Sequence, residues 1–160
     1  MKALFAGSFD PFHNGHLHIV HRASRLFSEL HVIVGQAPDK QSLIPFTERP
    51  HLIREVVHHY SNVTVSSHTG LIVDYARRNH IHILVRGLRL LSDIEYEQSM
   101  AWHNKMLDQS IETVFLMSDL EYRFISSRGI KELIKHGQDI SFFVPPSIHD
   151  WIKNHGRQKP

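Results

Sequence analysis

The spacing of apolar runs constrains this chain more than any other feature. Short runs recur between longer amphipathic stretches, and both periods are legible. Ala3 to Ala6, His31 to Val34, Val63 to Val65, Ile81 to Val85 and Thr113 to Met117 predict strands. Ile81 to Val85 is almost continuously apolar, as in a strand buried on both faces. Gly15 to Phe27, Leu71 to Arg78, Ser92 to Leu107 and Ser127 to His136 predict helices. Thr47 is the expected N-cap of a further helix, with Pro50 in its first turn. Ile140 to Val144 reads as a short extra strand, and Pro145-Pro146 leads into a last helix ending near Lys153. The polar segment from Gln36 to Pro45, with its two prolines, is a loop.

Strands alternating with helices imply an α/β fold, a Rossmann-like doubly wound parallel sheet with helices on both faces. Ligands of such sheets sit beyond the carboxyl ends of the strands, at the topological switch point. Functional residues should therefore follow strands directly.

Composition removes several alternatives. The 160 residues fit one domain, without internal repeat, low-complexity tract or linker. Without cysteine there are no disulfides and no thiolate metal sites. A net charge of +2 gives no broad basic field for nucleic acid. The apolar run before Asp10 is too short for a signal peptide or a membrane span, so no membrane association is expected and the cytoplasm is the expected compartment. Fifteen histidines are the oddity, scattered apart from His13, His16, His18 and His21.

Three segments following predicted strands carry chemistry. The first is Gly7-Ser8-Phe9-Asp10-Pro11-Phe12-His13-Asn14-Gly15-His16. Gly7 allows close approach to the backbone, Ser8 offers an amide and a hydroxyl, and the next helix aims its positive end at the same place. His13 and His16, three apart, can face one phosphate. A bare pair of this spacing is more often a turn with surface histidines. Zinc on His13, His16 and His18 is a rival, but a helix starting at Gly15 turns His18 away, so no protein-held metal is expected. The second segment is Val85-Arg86-Gly87-Leu88-Arg89, where two arginines can clamp two anions or form a solvated charged turn. The third is Phe124-Ile125-Ser126-Ser127-Arg128-Gly129-Ile130-Lys131, whose serines offer hydroxyls and free amides to phosphates or serve as an ordinary N-cap.

His13-Asn14-Gly15-His16 resembles the (T/H)xGH signature of the nucleotidyltransferase superfamily, and Ile125-Ser126-Ser127 resembles its late Ile-Ser-Ser element. The Arg86–Arg89 string with Asp93-Ile94-Glu95-Tyr96-Glu97, together with Gly70 to Ala76 and Pro38-Asp39-Lys40, is similar to the phosphopantetheine adenylyltransferase family. That likeness runs from Lys2 to Ile152. It implies a nucleotidyltransferase domain over residues 1–155; the terminal residues 156–160 read as a disordered tail. His13 stands where threonine is usual, Arg128 where a small hydroxyl residue is usual, and Pro50 where a helix former is expected.

The resemblance implies transfer of the adenylyl group of ATP to 4′-phosphopantetheine, giving dephospho-coenzyme A and pyrophosphate, with Mg²⁺ as cofactor and a homohexamer as the assembly. It implies that Ser8, Lys40, Ile72 and Arg86 hold the acceptor. It implies that Ser8, Phe9, His16, Gly87, Leu88, Arg89, Glu97, Tyr122, Arg123, Phe124, Ile125, Ser126, Ser127 and Arg128 hold ATP. His16, Lys40 and Arg89 are the implied catalytic residues. The competing readings are a nicotinamide or nicotinate mononucleotide adenylyltransferase, a cytidylyltransferase, and a catalytically silent nucleotide-binding sensor.

Overall fold

A computed structural model describes residues 1–36 and 42–155. Five parallel strands, β1 (Lys2–Gly7), β2 (Glu29–Gly35), β3 (Val63–His68), β4 (Ile83–Leu88) and β5 (Glu112–Met117), form one sheet in the order β3-β2-β1-β4-β5. Six helices connect or follow them: α1 (Asn14–Leu26), α2 (Arg49–Val57), α3 (Ile72–Arg78), α4 (Leu91–Leu107), α5 (Ser127–Lys135) and α6 (Pro146–His155). The doubly wound sheet expected from the alternating pattern is therefore present. Residues 156–160 of the expected tail lie outside the described residues.

The strands alternate their side chains between two cores, as a period of two requires. Ala3 and Phe5 of β1, with Leu30, Val32 and Val34 of β2, face the larger core. That core also takes Ile19 and Val20 of α1, Ile53 of α2, Ile130 of α5 and Ile148 of α6. Leu4, Ile33 and Leu84 face the other side, against Val73 and Ala76 of α3. Helix α4 contributes little to either core, for of its residues only Glu97 is buried.

The order of the strands places the switch point between β1 and β4, and there the sheet parts. β1 and β4 pair at Ala3–Ile83, Leu4–Leu84 and Phe5–Val85, and no further. Beyond that point β1 stays with β2 as far as Gly7–Val34, and β4 stays with β5 as far as Leu88–Met117. The result is a crevice flanked by the last residues of both strands.

Three sequence expectations are corrected. Strand β4 does not stop at Val85; Arg86 to Leu88 remain strand because β5 offers them ladder partners through Met117. Thr47 is not the N-cap of α2; Glu48 occupies that place without a side-chain capping bond, and Pro50 falls in the first turn as expected. Ile140 to Val144 is a turn, not a strand. Ile140 and Val144 are buried in the larger core, while the carbonyls of Phe142 and Phe143 accept bonds from the Asn14 side chain and backbone, both at 2.9 Å. The apolar content of this segment serves packing, and its backbone clamps the start of α1.

A buried ion pair holds the loop after β1. Asp10 and Arg49 are both almost wholly buried and lie 3.5 Å apart. Asp10 also accepts from the amides of Leu43 and Ile44 at 3.1 and 2.9 Å and from Lys131. Arg49 donates to the carbonyls of Ser8 and Ile44, both at 2.8 Å. Removing Asp10 leaves the Arg49 charge buried without its counter-charge, whereas Lys131 retains some solvent. Asp10→Ala should therefore cost about 3–5 kcal/mol of unfolding free energy, measured by urea denaturation. A loss below about 1 kcal/mol would contradict this account of the loop.

Candidate active site

The crevice holds a cavity of about 410 Å³, lined by Gly7, Ser8 and Phe9 after β1, Arg86 and Gly87 at the end of β4, and Ser126 and Ser127 at the start of α5, among others. The loop after β1 is tightly built. Phe9 takes a left-handed conformation, with φ of 46°, and tucks its ring under Gly7. A Cβ at Gly7 would lie 2.9 Å from that ring, so no other residue fits there without displacing it. The peptide bond between Asp10 and Pro11 is cis.

His13 and His16 form a reciprocal pair around the first turn of α1. His13 is the N-cap, and its Nδ1 accepts from the amide of His16 at 3.2 Å. The Nδ1 of His16 accepts in turn from the amide of His13 at 3.3 Å. The two rings stack 3.5 Å apart. Gly15 allows this, since a Cβ there would lie 3.1 Å from the His13 ring. With both Nδ1 atoms accepting, each neutral ring carries its proton on Nε2. His16 lines the cavity, so its Nε2–H is the donor available to a ligand.

The surroundings keep both rings neutral. Burial, helped by the charge of Arg89, lowers the His13 pKa to about 3. Withdrawal from water also pushes His16 well below the ordinary histidine value, with His13, Arg89 and Arg86 adding to the effect. Phe9 and Phe12 pack around the His16 ring at 4.9 and 5.5 Å.

The two arginines are held from α4. Arg86 donates from Nε and Nη2 to the two oxygens of Glu97, both at 2.7 Å. Its Nη1 donates to the carbonyl of Ala6 at 2.7 Å. Ala6 lies where β1 has left β4, so the guanidinium satisfies a carbonyl at the mouth of the crevice. Each Arg86 amino group keeps a further N–H for a ligand. Arg89 pairs with Asp93, one turn before Glu97, at 3.3 Å, and donates to the carbonyl of Ile125 at 3.1 Å. At α5, Ser126 is the N-cap, accepting from the amide of Gly129 at 3.0 Å, and Ser127 donates to the carbonyl of Pro11 at 2.9 Å.

A second cavity, of about 250 Å³, opens behind the first and is walled by apolar residues such as Leu4, Leu71, Ile72, Leu84 and Met100. Ala6, Arg86, Tyr96 and Glu97 line both cavities. The Arg86–Glu97 pair thus stands at their junction.

Of the residues expected in the site, Ser8, Phe9, His16, Arg86, Gly87, Arg89, Glu97, Ser126 and Ser127 line the larger cavity, and Ile72 lines the second. Leu88 and Ile125 are buried, while Phe124 and Arg128 are exposed. Tyr122 and Arg123 stand partly buried in the segment after β5. None of these six is among the residues lining the larger cavity. Lys40 lies outside the described residues. His18 turns away from His13 and His16, and its ring stacks on Tyr122 at 4.6 Å. Sequence reasoning missed the carboxylate of Asp93 as the partner of Arg89, although spacing of four residues was a usable signal. It also missed the burial of Asp10.

A parallel sheet with helix N-termini, neutral histidine and arginines gathered at its switch point is built to hold polyphosphate. Residues 4–133 match the cytidylyltransferase-like family. A candidate nicotinate-nucleotide adenylyltransferase from Vibrio parahaemolyticus, solved as a crystal structure, shares the fold with a TM-score of 0.74. The likeness covers 99% of this chain and 96% of that one at 16% identity. The fold is that of a nucleotidyltransferase. A phosphopantetheine adenylyltransferase from Streptococcus pneumoniae (strain 70585) is 49% identical over 152 residues, 94% of either chain. One from Ralstonia nicotianae is 45% identical over 150 residues, covering 94% of this chain and 89% of that one. The chain belongs to the phosphopantetheine adenylyltransferase family, within the broader cytidylyltransferase-like family.

The depressed histidines make stability depend on pH. Below about pH 6.5 the unfolded chain takes up protons at His13 and His16 that the folded chain refuses. Their contribution is complete above that value and declines as pH falls, until His13 itself protonates at about 3. Asparagine can still cap α1 but cannot titrate. His13→Asn should therefore flatten the fall in unfolding free energy between about pH 6 and pH 4.5, by up to about 1.4 kcal/mol per pH unit. Denaturation profiles of equal slope for both proteins would contradict the assignment.

Proposed function

We propose that the protein transfers the adenylyl group of ATP to 4′-phosphopantetheine, releasing pyrophosphate and dephospho-coenzyme A. The observation that carries this reading is the pair of adjoining cavities. One is large and rich in phosphate-binding groups, the other smaller and apolar, and Arg86 serves both. An acceptor with a phosphate at one end and a long, largely uncharged arm suits that arrangement. Its arm would lie against Leu71, Ile72 and Met100, with its phosphate directed to Arg86. A mononucleotide acceptor would place a second charged nucleoside where these apolar side chains stand. Relatives carrying the phosphopantetheine adenylyltransferase name support the same choice.

In the reaction an acceptor phosphate oxygen attacks the α-phosphorus of ATP. A new P–O bond forms, the bond from that phosphorus to the α–β bridging oxygen breaks, and pyrophosphate leaves with its electron pair. The attacking phosphate is largely ionised at neutral pH, its second pKa being near 6. It needs no general base and no covalent enzyme intermediate. The protein aligns two anions and stabilises the charge that builds around the transferring phosphorus. His16, donating from Nε2, is aimed at that charge, with Arg86, Arg89 and the N-termini of α1 and α5 around it. Lys40 is assigned to the acceptor phosphate by family resemblance.

Mg²⁺ is part of the reading as a companion of ATP. Asp93 and Glu97, the carboxylates lining the large cavity, are each paired with an arginine. Among the described residues they do not make a cage of free oxygen ligands, so the ion would be carried on phosphate oxygens and water. Bound there, the ion would neutralise part of the phosphate charge.

Assembly as a homohexamer belongs to the same proposal. Helix α4 leaves Trp102 and Met106 exposed, and the edge strand β5 leaves Phe115 and Met117 exposed, surface that copies of the chain would cover. No described helix is long and apolar enough to cross a membrane. The cytoplasm, where ATP is supplied, is the proposed compartment.

An acceptor panel tests the assignment by pyrophosphate release. Phosphopantetheine should be used with a kcat/KM at least about 100-fold above that of nicotinamide mononucleotide, a gap of about 2.7 kcal/mol. Comparable values for the two acceptors would sink it, and no release with any acceptor would favour a silent nucleotide sensor.

A further inference from the structure

The segment after β5 meets the large cavity at its two ends. Ser118 at its start and Ser126 at its end both line that cavity, and neither lines the apolar one. Between them stands a single 3-10 turn, Leu120–Tyr122. The strap is tied to the site at Ile125, whose carbonyl accepts from Arg89. It also passes close to the histidine turn, since a Cβ on Gly15 would lie 3.7 Å from the Cβ of Tyr122.

What fastens the middle of this strap is α1, through two residues one turn apart. The His18 ring lies stacked on Tyr122, with centroids 4.6 Å apart and planes at 29°. Its Nε2 faces Asp119 Oδ2 at 3.4 Å; that nitrogen is buried and has no hydrogen-bond partner. Arg22 lies 3.8 Å from Asp119 Oδ1 and donates to the carbonyl of Met117, the last residue of β5. α1 therefore grips the strap at its entry, at Asp119 and at Tyr122. The same helix begins with the His13–His16 pair, so one rigid element sets both the phosphate-facing donor and the strap.

We propose that His18 is a positioning residue for the nucleotide: by stacking on Tyr122 and lying against Asp119, it holds the 118–126 strap against α1 and so keeps Ser118 and Ser126 at the wall of the large cavity. The inference rests on the reading of the large cavity as the ATP site. His18 stacks on Tyr122 and does not line the apolar cavity, so its influence falls on nucleotide binding and not on the transfer step or the acceptor.

The test measures ATP binding by calorimetry and steady-state kinetics with both substrates, for wild type, His18→Ala, His18→Phe and Asp119→Asn. His18→Ala should raise the Kd and KM for ATP roughly 3–10-fold, the size expected for losing one stacked ring pair. kcat and the acceptor KM should stay within about twofold. His18→Phe keeps the stack and should lie closer to wild type than His18→Ala. Asp119→Asn, at an exposed position, should raise the ATP Kd modestly. An unchanged ATP Kd in His18→Ala overturns the proposal, as does a parallel loss of kcat and of both affinities, which would mark a general structural role. The parent reading fails separately, on wild-type protein that binds no ATP. If wild type binds ATP but does not use phosphopantetheine, the calorimetric comparison still decides the role of His18.

Discussion

The parting of β1 from β4 after Phe5 and Val85 is the constraint from which the rest of the site follows. A parallel sheet that opens must find new partners for the backbone groups at the opening, because buried carbonyls and amides are costly to leave unmade. Here the carbonyl of Ala6 is taken by the Arg86 guanidinium. A guanidinium placed there brings its own charge, which Glu97 balances with two short bonds. Glu97 is the one residue of α4 that is buried, so this ion pair is also a buried tie between that helix and the sheet. One backbone need thus fixes an anion-binding group, a helix and the junction between two cavities.

The other half of the site is built by the loop after β1. Asp10 and Arg49 pull the returning chain at Leu43 and Ile44 against Ser8, while Lys131 brings α5 to the same carboxylate. The first turn of α1 then closes on itself through His13 and His16. Each ring spends Nδ1 on the other's amide, which selects the tautomer with a proton on Nε2 and leaves that donor oriented before any ligand arrives. A neutral donor suits this place. Protonated, it would repel its stacked neighbour and the arginines; neutral, it loses no solvent order as negative charge accumulates on the transferring group.

Much of this was legible in the residues, and what was not had physical causes. Strand and helix periods placed all five strands, because apolar runs of that kind have few alternatives in a chain that alternates them with amphipathic stretches. The end of β4 was misread because Arg86-Gly87 has the composition of a turn; only the length of its neighbour β5 keeps it in the ladder. Ile140 to Val144 was misread because burial of two side chains and clamping of Asn14 demand the same apolar content as a strand. The start of α1 shifted by one residue because histidine is an unusual N-cap, and its capping depends on a reciprocal bond that spacing alone does not reveal. The Arg86–Glu97 and Asp10–Arg49 pairs join residues far apart in the chain, so their geometry emerges only from the fold. Tyr122, Arg123, Phe124 and Arg128 stand off the large cavity because of the path the chain takes after β5, which the motif itself does not reveal.

The central claim is that a neutral, pre-aimed His16 stabilises charge at the transferring phosphorus more than it binds ATP. Steady-state turnover of His16→Ala, with ATP binding measured alongside, tests it most directly. The account predicts a loss of roughly 10²–10³-fold in kcat, comparable to removing one preorganised oxyanion donor, with a much smaller change in ATP affinity. A His16→Ala protein with near-normal kcat, or one whose loss lies entirely in ATP affinity, would contradict it.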